Sequence, residues 1–353
     1  MSVPRLAGMI GQPGAVRLLA RLIDRQRLPH AMILEGPPGC GRRTLAMALA
    51  QALLCHSRVT SRVTPDGARQ SGNEPLLAGD ACGACVSCRM MQADNHPDLV
   101  AVPNDGDVIP PEWQGLVSGE EHDISRGIPI DWMRHLADRA MQTPMSGNVR
   151  VAIVPAVERL AASAGAANAL LKVLEEPPAG AYFILTAAHA GTVLPTIRSR
   201  AQVYRLQPLS REQVAEVLKR GGIAPAEAQT LAAQSSGGHR GLWIASDPPP
   251  IEALLALVQD GFSSDRVAQV VESLPTRLDP GAADSGRTLP GEQRRILRQW
   301  LVALCNHLRP GLAGPDGLRH QQQIARILSL RSLVDRNLPV RLVVEAIGLG
   351  HSA

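Results

Sequence analysis

Short apolar runs closed by Gly, Pro or polar residues alternate, over the first two hundred positions, with stretches whose apolar residues recur at three- and four-residue steps. The runs predict strands at 31–35, 149–154, 182–187 and 201–206, and the stretches between them predict helices. Such alternation implies a parallel sheet wrapped by helices over residues 1–207. Asp131 is expected to N-cap the helix WMRHLADRAM. From Ser210, REQVAEVLKRGG and PAEAQTLAAQSSGG read as two short helices ending in glycines. Beyond them Ile296, Trp300, Leu301, Leu304 and Leu308 form one apolar helix face, which needs another helix or another subunit to cover it. Residues 104–127 carry Gly, Pro and acids without periodicity and read as a surface insertion.

With 353 residues, 45% hydrophobic and 19% charged, the chain has material for two or three packed cores, and its composition does not suggest global disorder. The N-terminus lacks an uninterrupted apolar segment, and no stretch approaches the roughly 20 apolar residues of a membrane span, so a cytoplasmic protein with no membrane partner is expected. The formal charge of +4 allows a nucleic-acid partner but shows no basic block. Aromatic residues make up 2% and are scattered, which argues against a primary single-strand binder.

Four of the six cysteines are Cys55, Cys82, Cys85 and Cys88, the last three in the run CGACVSC. Thiolates two residues apart can converge on one tetrahedral ion, and four protein ligands leave no open position for a catalytic water. A structural zinc ion is therefore expected, in an insertion spanning 55–88; a redox Cys-x-x-Cys pair with a bystander is the alternative. The segment between Cys55 and Cys82 repeats Ser-Arg-Val-Thr and reads as an exposed loop.

Residues 31–54, AMILEGPPGCGRRTLAMALAQALL, follow the strand, glycine-rich turn and helix order of a phosphate-binding loop. Gly36, Gly39 and Gly41 are in place; Arg42 stands where a Lys would reach the phosphates, Arg43 where a hydroxyl would hold magnesium, and Thr44 comes one residue late. Arg cannot offer magnesium a hydroxyl. At the end of the 149–154 strand, where an acidic pair would serve magnesium and the attacking water, stand Pro155 and Ala156, with Glu158 two residues on. A phosphate cradle without metal-assisted hydrolysis is expected, and whether ATP or ADP still binds stays open.

The segment NALLKVLEEPP at 168–178, the strand AYFILTAA and TVLPTIRSRAQVYRL resemble the clamp-loader subunits of the AAA+ superfamily, as do the cysteine cluster and QADNHPDL. The resemblance runs from residue 10 to about 245 and departs at Ala201, where the family's Ser-Arg-Cys has Cys. Bacterial members of the delta-prime class keep the zinc cluster with eroded nucleotide motifs, and this chain matches that pattern. The fold so implied is an α/β AAA+ P-loop core with a zinc module (1–207), a small helical lid (208–248) and a C-terminal all-α collar (249–353). The resemblance assigns Arg200, beside Ser199, as an arginine finger acting on a neighbour's ATP; a surface salt bridge from Arg198 or Arg200 is the plainer reading. Thr186 falls at sensor 1 and should make a structural hydrogen bond, and Arg240 resembles sensor 2 at the vestigial nucleotide site. Lys172, Glu175 and Glu176 read as a solvated helix face.

Implied partners are gamma/tau and delta subunits, the sliding clamp and primed DNA within the complex. No ATPase or polymerase activity of the chain's own is expected. The alternatives are an ATP-hydrolysing gamma/tau-like subunit, disfavoured by Arg43, Pro155 and Ala156, and a free-standing zinc-containing DNA-binding protein, disfavoured because CGACVSCRMMQ offers one Arg and no aromatic stripe.

Overall fold

The computed structural model describes residues 4–59, 77–103, 110–116, 127–233, 250–260 and 263–274, and toward the C-terminus separate helical positions between 293 and 308, Gly314, 317–335 and 339–349. Five parallel strands, β1 (Ala31–Glu35), β2 (Leu99–Ala101), β3 (Arg150–Val154), β4 (Ala181–Ala187) and β5 (Gln202–Arg205), form one sheet in the order β2-β3-β4-β1-β5. The three central strands are buried almost throughout, as a parallel sheet covered on both faces requires.

Alternation along the strands sorts their side chains between two cores. Ala31, Ile33, Ala152, Val154, Phe183 and Leu185 face one side, covered by helices α5 (Ile130–Met141) and α6 (Ala164–Glu175). Met32, Leu34, Val151, Ile153 and Ile184 face the other, covered by α1 (Pro13–Asp24) and α2 (Arg42–Leu54). Nine of the 13 residues of α2 are buried, four of them alanines, and the small side chains let the helix lie close on the sheet. Helix α3 (Val86–Gln92) follows the cysteine run.

Two expectations need correction. Inside the segment read as a surface insertion, α4 (Pro111–Gln114) delivers Trp113 into the core, fully buried and edge-on to Trp132 with ring centroids 5.7 Å apart. One large aromatic anchors a segment whose sequence lacks periodicity. The N-cap of α5 is Pro129; Asp131 sits in the first turn, bonded to Arg134 at 3.1 Å, where a carboxylate still complements the helix dipole. Strand β2 adds a fifth strand to the four expected ones, whose bounds differ by at most a residue at either end.

Beyond β5, α7 (Pro195–Arg198) having preceded it, α8 (Arg211–Arg220) and α9 (Pro225–Ala233) share a small core of Leu209, Val214, Leu218 and Ala228. Ser210 caps α8 in a reciprocal capping box with Gln213. A separate apolar cluster gathers Leu254, Leu257, Val270, Leu297, Trp300, Leu301, Leu304, Leu308, Val343 and Ile347, with Ile296 partly buried against it. No helix among the described residues is long and apolar enough to cross a membrane.

A buried polar network ties β2 and β3 to the cysteine module. Asp98 and Arg150, both buried, pair at 3.2 Å. Asp98 also accepts from the Met145 and Ser146 N–H groups at 2.6 and 2.7 Å and from Ser146 Oγ at 2.7 Å. Its own N–H donates to His96 Nδ1 at 3.1 Å, so His96 Nε2 carries the hydrogen toward Ser87 Oγ at 2.9 Å. Ser87 in turn donates to the Leu54 carbonyl at the end of α2, at 2.7 Å. Burial holds His96 below its ordinary value, in keeping with this neutral tautomer. Burial also pushes the Asp98 carboxyl up, but the Met145 and Ser146 donors and the Arg150 charge outweigh it and hold Asp98 below the usual carboxylate range.

Asp98→Ala should therefore strand a buried cation and cost about 3–5 kcal/mol in urea unfolding at neutral pH. Because Asp98 is depressed when folded, its contribution is fully present above the unfolded value of about 3.9 and is lost as pH falls through the lower folded value. The acid limb of the stability profile should lose this component in the variant.

Candidate functional site: a phosphate loop, a four-cysteine centre and an exposed arginine

The turn from β1 to α2 has the shape that its glycines anticipate. Gly36 is buried and donates to the Ala187 carbonyl at 3.2 Å; a Cβ there would meet Cys40 Sγ at 2.8 Å. Gly39 and Gly41 take left-handed φ values of 82° and 99°, and Gly41 is the N-cap of α2. The buried Gln12 braces the turn, donating from Nε2 to the Cys40 carbonyl at 3.1 Å and the Gln207 carbonyl at 2.7 Å while Oε1 accepts from the Gln207 N–H at 3.0 Å. Arg42, Arg43 and Thr44 occupy the first turn of α2, the latter two exposed.

Strand β3 runs into Pro155 and Ala156, the latter at φ 47°. Thr186, on β4, accepts from the Ala156 N–H at 3.1 Å, a structural bond across the place where an acidic pair would stand. Glu158 lies on the 3₁₀ turn Val157–Ala162; its Oε1 accepts from the Ala188 N–H at 3.1 Å, and its buried Oε2 has no hydrogen-bond partner among the described residues. The site thus combines a phosphate-loop backbone with no side chain at positions 155 and 156 that could hold magnesium or orient a water.

At the other end of α2 four thiols converge. Cys55 is the C-cap of α2, Cys85 is the N-cap of α3, and the ligand atoms of Cys55, Cys82, Cys85 and Cys88 all lie within 4.8 Å of one another. Two opposite edges of the cluster, Cys55–Cys85 and Cys82–Cys88, measure 3.8 and 3.9 Å. These are far beyond a disulfide bond and match the edge of about 3.8 Å that a tetrahedron with metal–sulfur bonds of about 2.3 Å would have. Backbone N–H groups of Cys82, Cys85 and Cys88 donate to Cys55, Cys82 and Cys85 sulfurs at 3.3, 3.3 and 3.5 Å, which stabilises thiolate charge. A hydrogen bond with Cys88 brings Cys55 down to about 5 and pushes Cys88 up. The donor set fits a zinc ion, which would offset half of the charge of four thiolates and clamp the segment between α2 and α3.

Asp80 anchors the same module. It accepts from the Leu6, Ala7 and Ala81 N–H groups at 3.0, 2.9 and 2.7 Å, while at Gly79, φ 90°, a Cβ would overlap the Ala20 carbonyl.

Arg200 lies on the opposite core's edge, about a third exposed, with Nη2 2.7 Å from Glu175 Oε1 at the end of α6. Its Nη1 donates to the Thr196 carbonyl at 2.9 Å and to Ser199 Oγ at 3.3 Å. Ala201, in place of the expected Cys, is buried in the core. The salt bridge foreseen as the plain reading thus exists, and Glu175 has a partner that its solvated helix face did not announce. Glu35 was also missed: it ends β1, accepts from the Ala190 N–H at 3.0 Å and from Arg205 Nε at 3.0 Å, and borders a cavity of about 960 Å³ with Gly11, Gln12, Arg198 and Tyr204. No residue from 36 to 44 lines that cavity, so it is distinct from the phosphate loop. Arg240 falls outside the described residues.

No periodicity marks Asp80, Asp98, Arg150 or Glu175; Arg150 and Glu175 stood near the ends of predicted elements, whereas Asp80 and Asp98 bordered none. Protein purified without chelator should carry about one zinc per chain by elemental analysis, Cys88→Ser should lose it, and stripping it under reducing conditions should lower the melting temperature.

The model of the family described as DNA polymerase III, delta subunit, matches residues 11–210. DNA polymerase III subunit delta' of Haemophilus influenzae is 30% identical over 253 residues, spanning 70% of this chain and 61% of that one. Subunit delta' of Pseudomonas aeruginosa is 28% identical over 282 residues, 75% and 73% of the two chains. Subunit gamma/tau of Mycobacterium tuberculosis is 31% identical over 237 residues, 66% of this chain and 34% of that protein. With its sheet and loop covered by that match, the chain belongs to the delta-prime family of DNA polymerase III clamp-loader subunits.

Proposed function

We propose that the chain is a non-hydrolysing stator of the clamp loader, which takes part in loading the sliding clamp onto primed DNA by supplying Arg200 to an ATP held by a neighbouring gamma/tau subunit. In this reading residues 1–207 form an AAA+ core, 208–248 a lid and 249–353 a collar that packs against the gamma/tau and delta subunits. The observation that carries it is the contrast between two places on one core. The phosphate loop keeps its backbone form but has Arg43, Pro155 and Ala156 where catalysis needs a hydroxyl and acids, whereas Arg200 is held at the surface beside Ser199. A guanidinium inserted at a neighbour's γ-phosphate stabilises the charge that develops on the transferring group, an effect on the order of a thousandfold or more at a single site.

The chain's own loop, with Gly36, Gly39, Gly41, Arg42, Thr44 and Arg240, is then a vestigial nucleotide site, and zinc serves only to brace the fold. Similarity to gamma/tau subunits keeps a second reading in play, in which this chain hydrolyses ATP; the same three positions oppose it.

In a complex reconstituted with gamma/tau and delta subunits, Arg200→Ala should lower clamp- and DNA-stimulated ATP turnover several-fold while the complex still assembles on gel filtration. Unchanged turnover would remove the finger from the account.

A further inference from the structure

Resting on the finger reading, we infer that Glu175 is the positioning residue for Arg200, fixing the direction in which its guanidinium is presented to the neighbouring subunit. An acid in the last turn of a helix opposes the helix dipole, so the stability of α6 gives no reason for Glu175 to stand there. What it does have is a cation: Arg200 Nη2 lies 2.7 Å from its Oε1.

The remaining contacts come from the chain around Arg200 itself. Nη1 is held by the Thr196 carbonyl at 2.9 Å and Ser199 Oγ at 3.3 Å, both on or next to α7. One terminal nitrogen is thus fixed to the finger's own turn and the other to α6, a different element across the core edge. Two anchors on separate elements define the plane of a guanidinium, which one anchor would leave free to swing about the side chain's rotatable bonds. Nε has no hydrogen-bond partner among the described residues, and the side chain is 36% exposed, so donor capacity remains for a phosphate oxygen.

Orientation of this kind matters because a finger acts only within hydrogen-bond reach of the transferring group, and small misplacements of catalytic groups cost large factors in rate. As an ion pair between exposed side chains, Glu175–Arg200 contributes little to stability, so its loss should leave the fold intact.

The test uses the reconstituted complex with Arg200→Ala, Glu175→Ala, Glu175→Gln and the double Ala variant, reading kcat and KM for ATP together with the melting temperature of each chain. Glu175→Ala should lower kcat roughly fivefold to tenfold with KM and melting temperature unchanged. Glu175→Gln, which keeps an acceptor oxygen at the same place, should recover most of that loss. The double variant should match Arg200→Ala alone, since without the guanidinium there is nothing for Glu175 to orient. A wild-type kcat for Glu175→Ala beside a lowered kcat for Arg200→Ala would overturn the positioning role and leave the finger standing. A double variant slower than Arg200→Ala would also overturn it, because Glu175 would then act through something else. A normal kcat for Arg200→Ala would instead remove the finger reading on which the inference rests.

Discussion

Helix α2 lies pressed along a parallel sheet that has to be covered on both faces, and much of the molecule is arranged around that burial. Its alanines at 46, 48, 50 and 52 are fully buried, and the helix packs against β1, β3 and β4. At about 1.5 Å per residue it is a rod roughly 20 Å long. One end begins at the left-handed Gly41 of the phosphate loop; the other ends at Cys55 in the four-cysteine centre. The sulfur cluster is therefore a rod's length from any phosphate the loop could hold, which suits a brace and not a participant in chemistry. The path from Leu54 through Ser87 and His96 to the Asp98–Arg150 pair extends the same brace into β2 and β3.

How much of this the amino-acid pattern disclosed follows from what a pattern can encode. Strands β1, β3 and β4 were legible because each is largely an apolar run between turn residues, β5 from the short Val203–Tyr204 stretch, and the cysteine centre because thiols at two-residue gaps have few other uses. Strand β2 has three residues, only the middle one buried, which is too short for alternation to register. Trp113 escaped because one aromatic can pin a segment with no period of its own. The Asp98–Arg150 and Glu175–Arg200 pairs join residues distant in sequence, and nothing local announces such pairing before the sheet brings its strands and their flanking turns together.

The candidate site divides along the same line. Arg42, Arg43, Pro155 and Ala156 were visible as departures from a template, and the structure adds what stands there: Thr186 bonded to the Ala156 N–H, with Glu158 bonded to the Ala188 N–H. The shape of the turn has packing reasons of its own: a Cβ at Gly36 would meet Cys40 Sγ, Gly41 takes a left-handed φ, and Gln12 holds the Cys40 and Gln207 carbonyls. Arg200, at the opposite edge, is tied within the chain to Glu175, the Thr196 carbonyl and Ser199 Oγ while its side chain stays about a third exposed.

The central claim, that the chain lends a residue to another site and does not run its own, is tested most directly by ATP hydrolysis with magnesium by the purified chain alone. The account predicts no turnover above background at any ATP concentration, with or without clamp and primed DNA. Sustained magnesium-dependent hydrolysis by the isolated chain, abolished by Arg42→Ala, would contradict it.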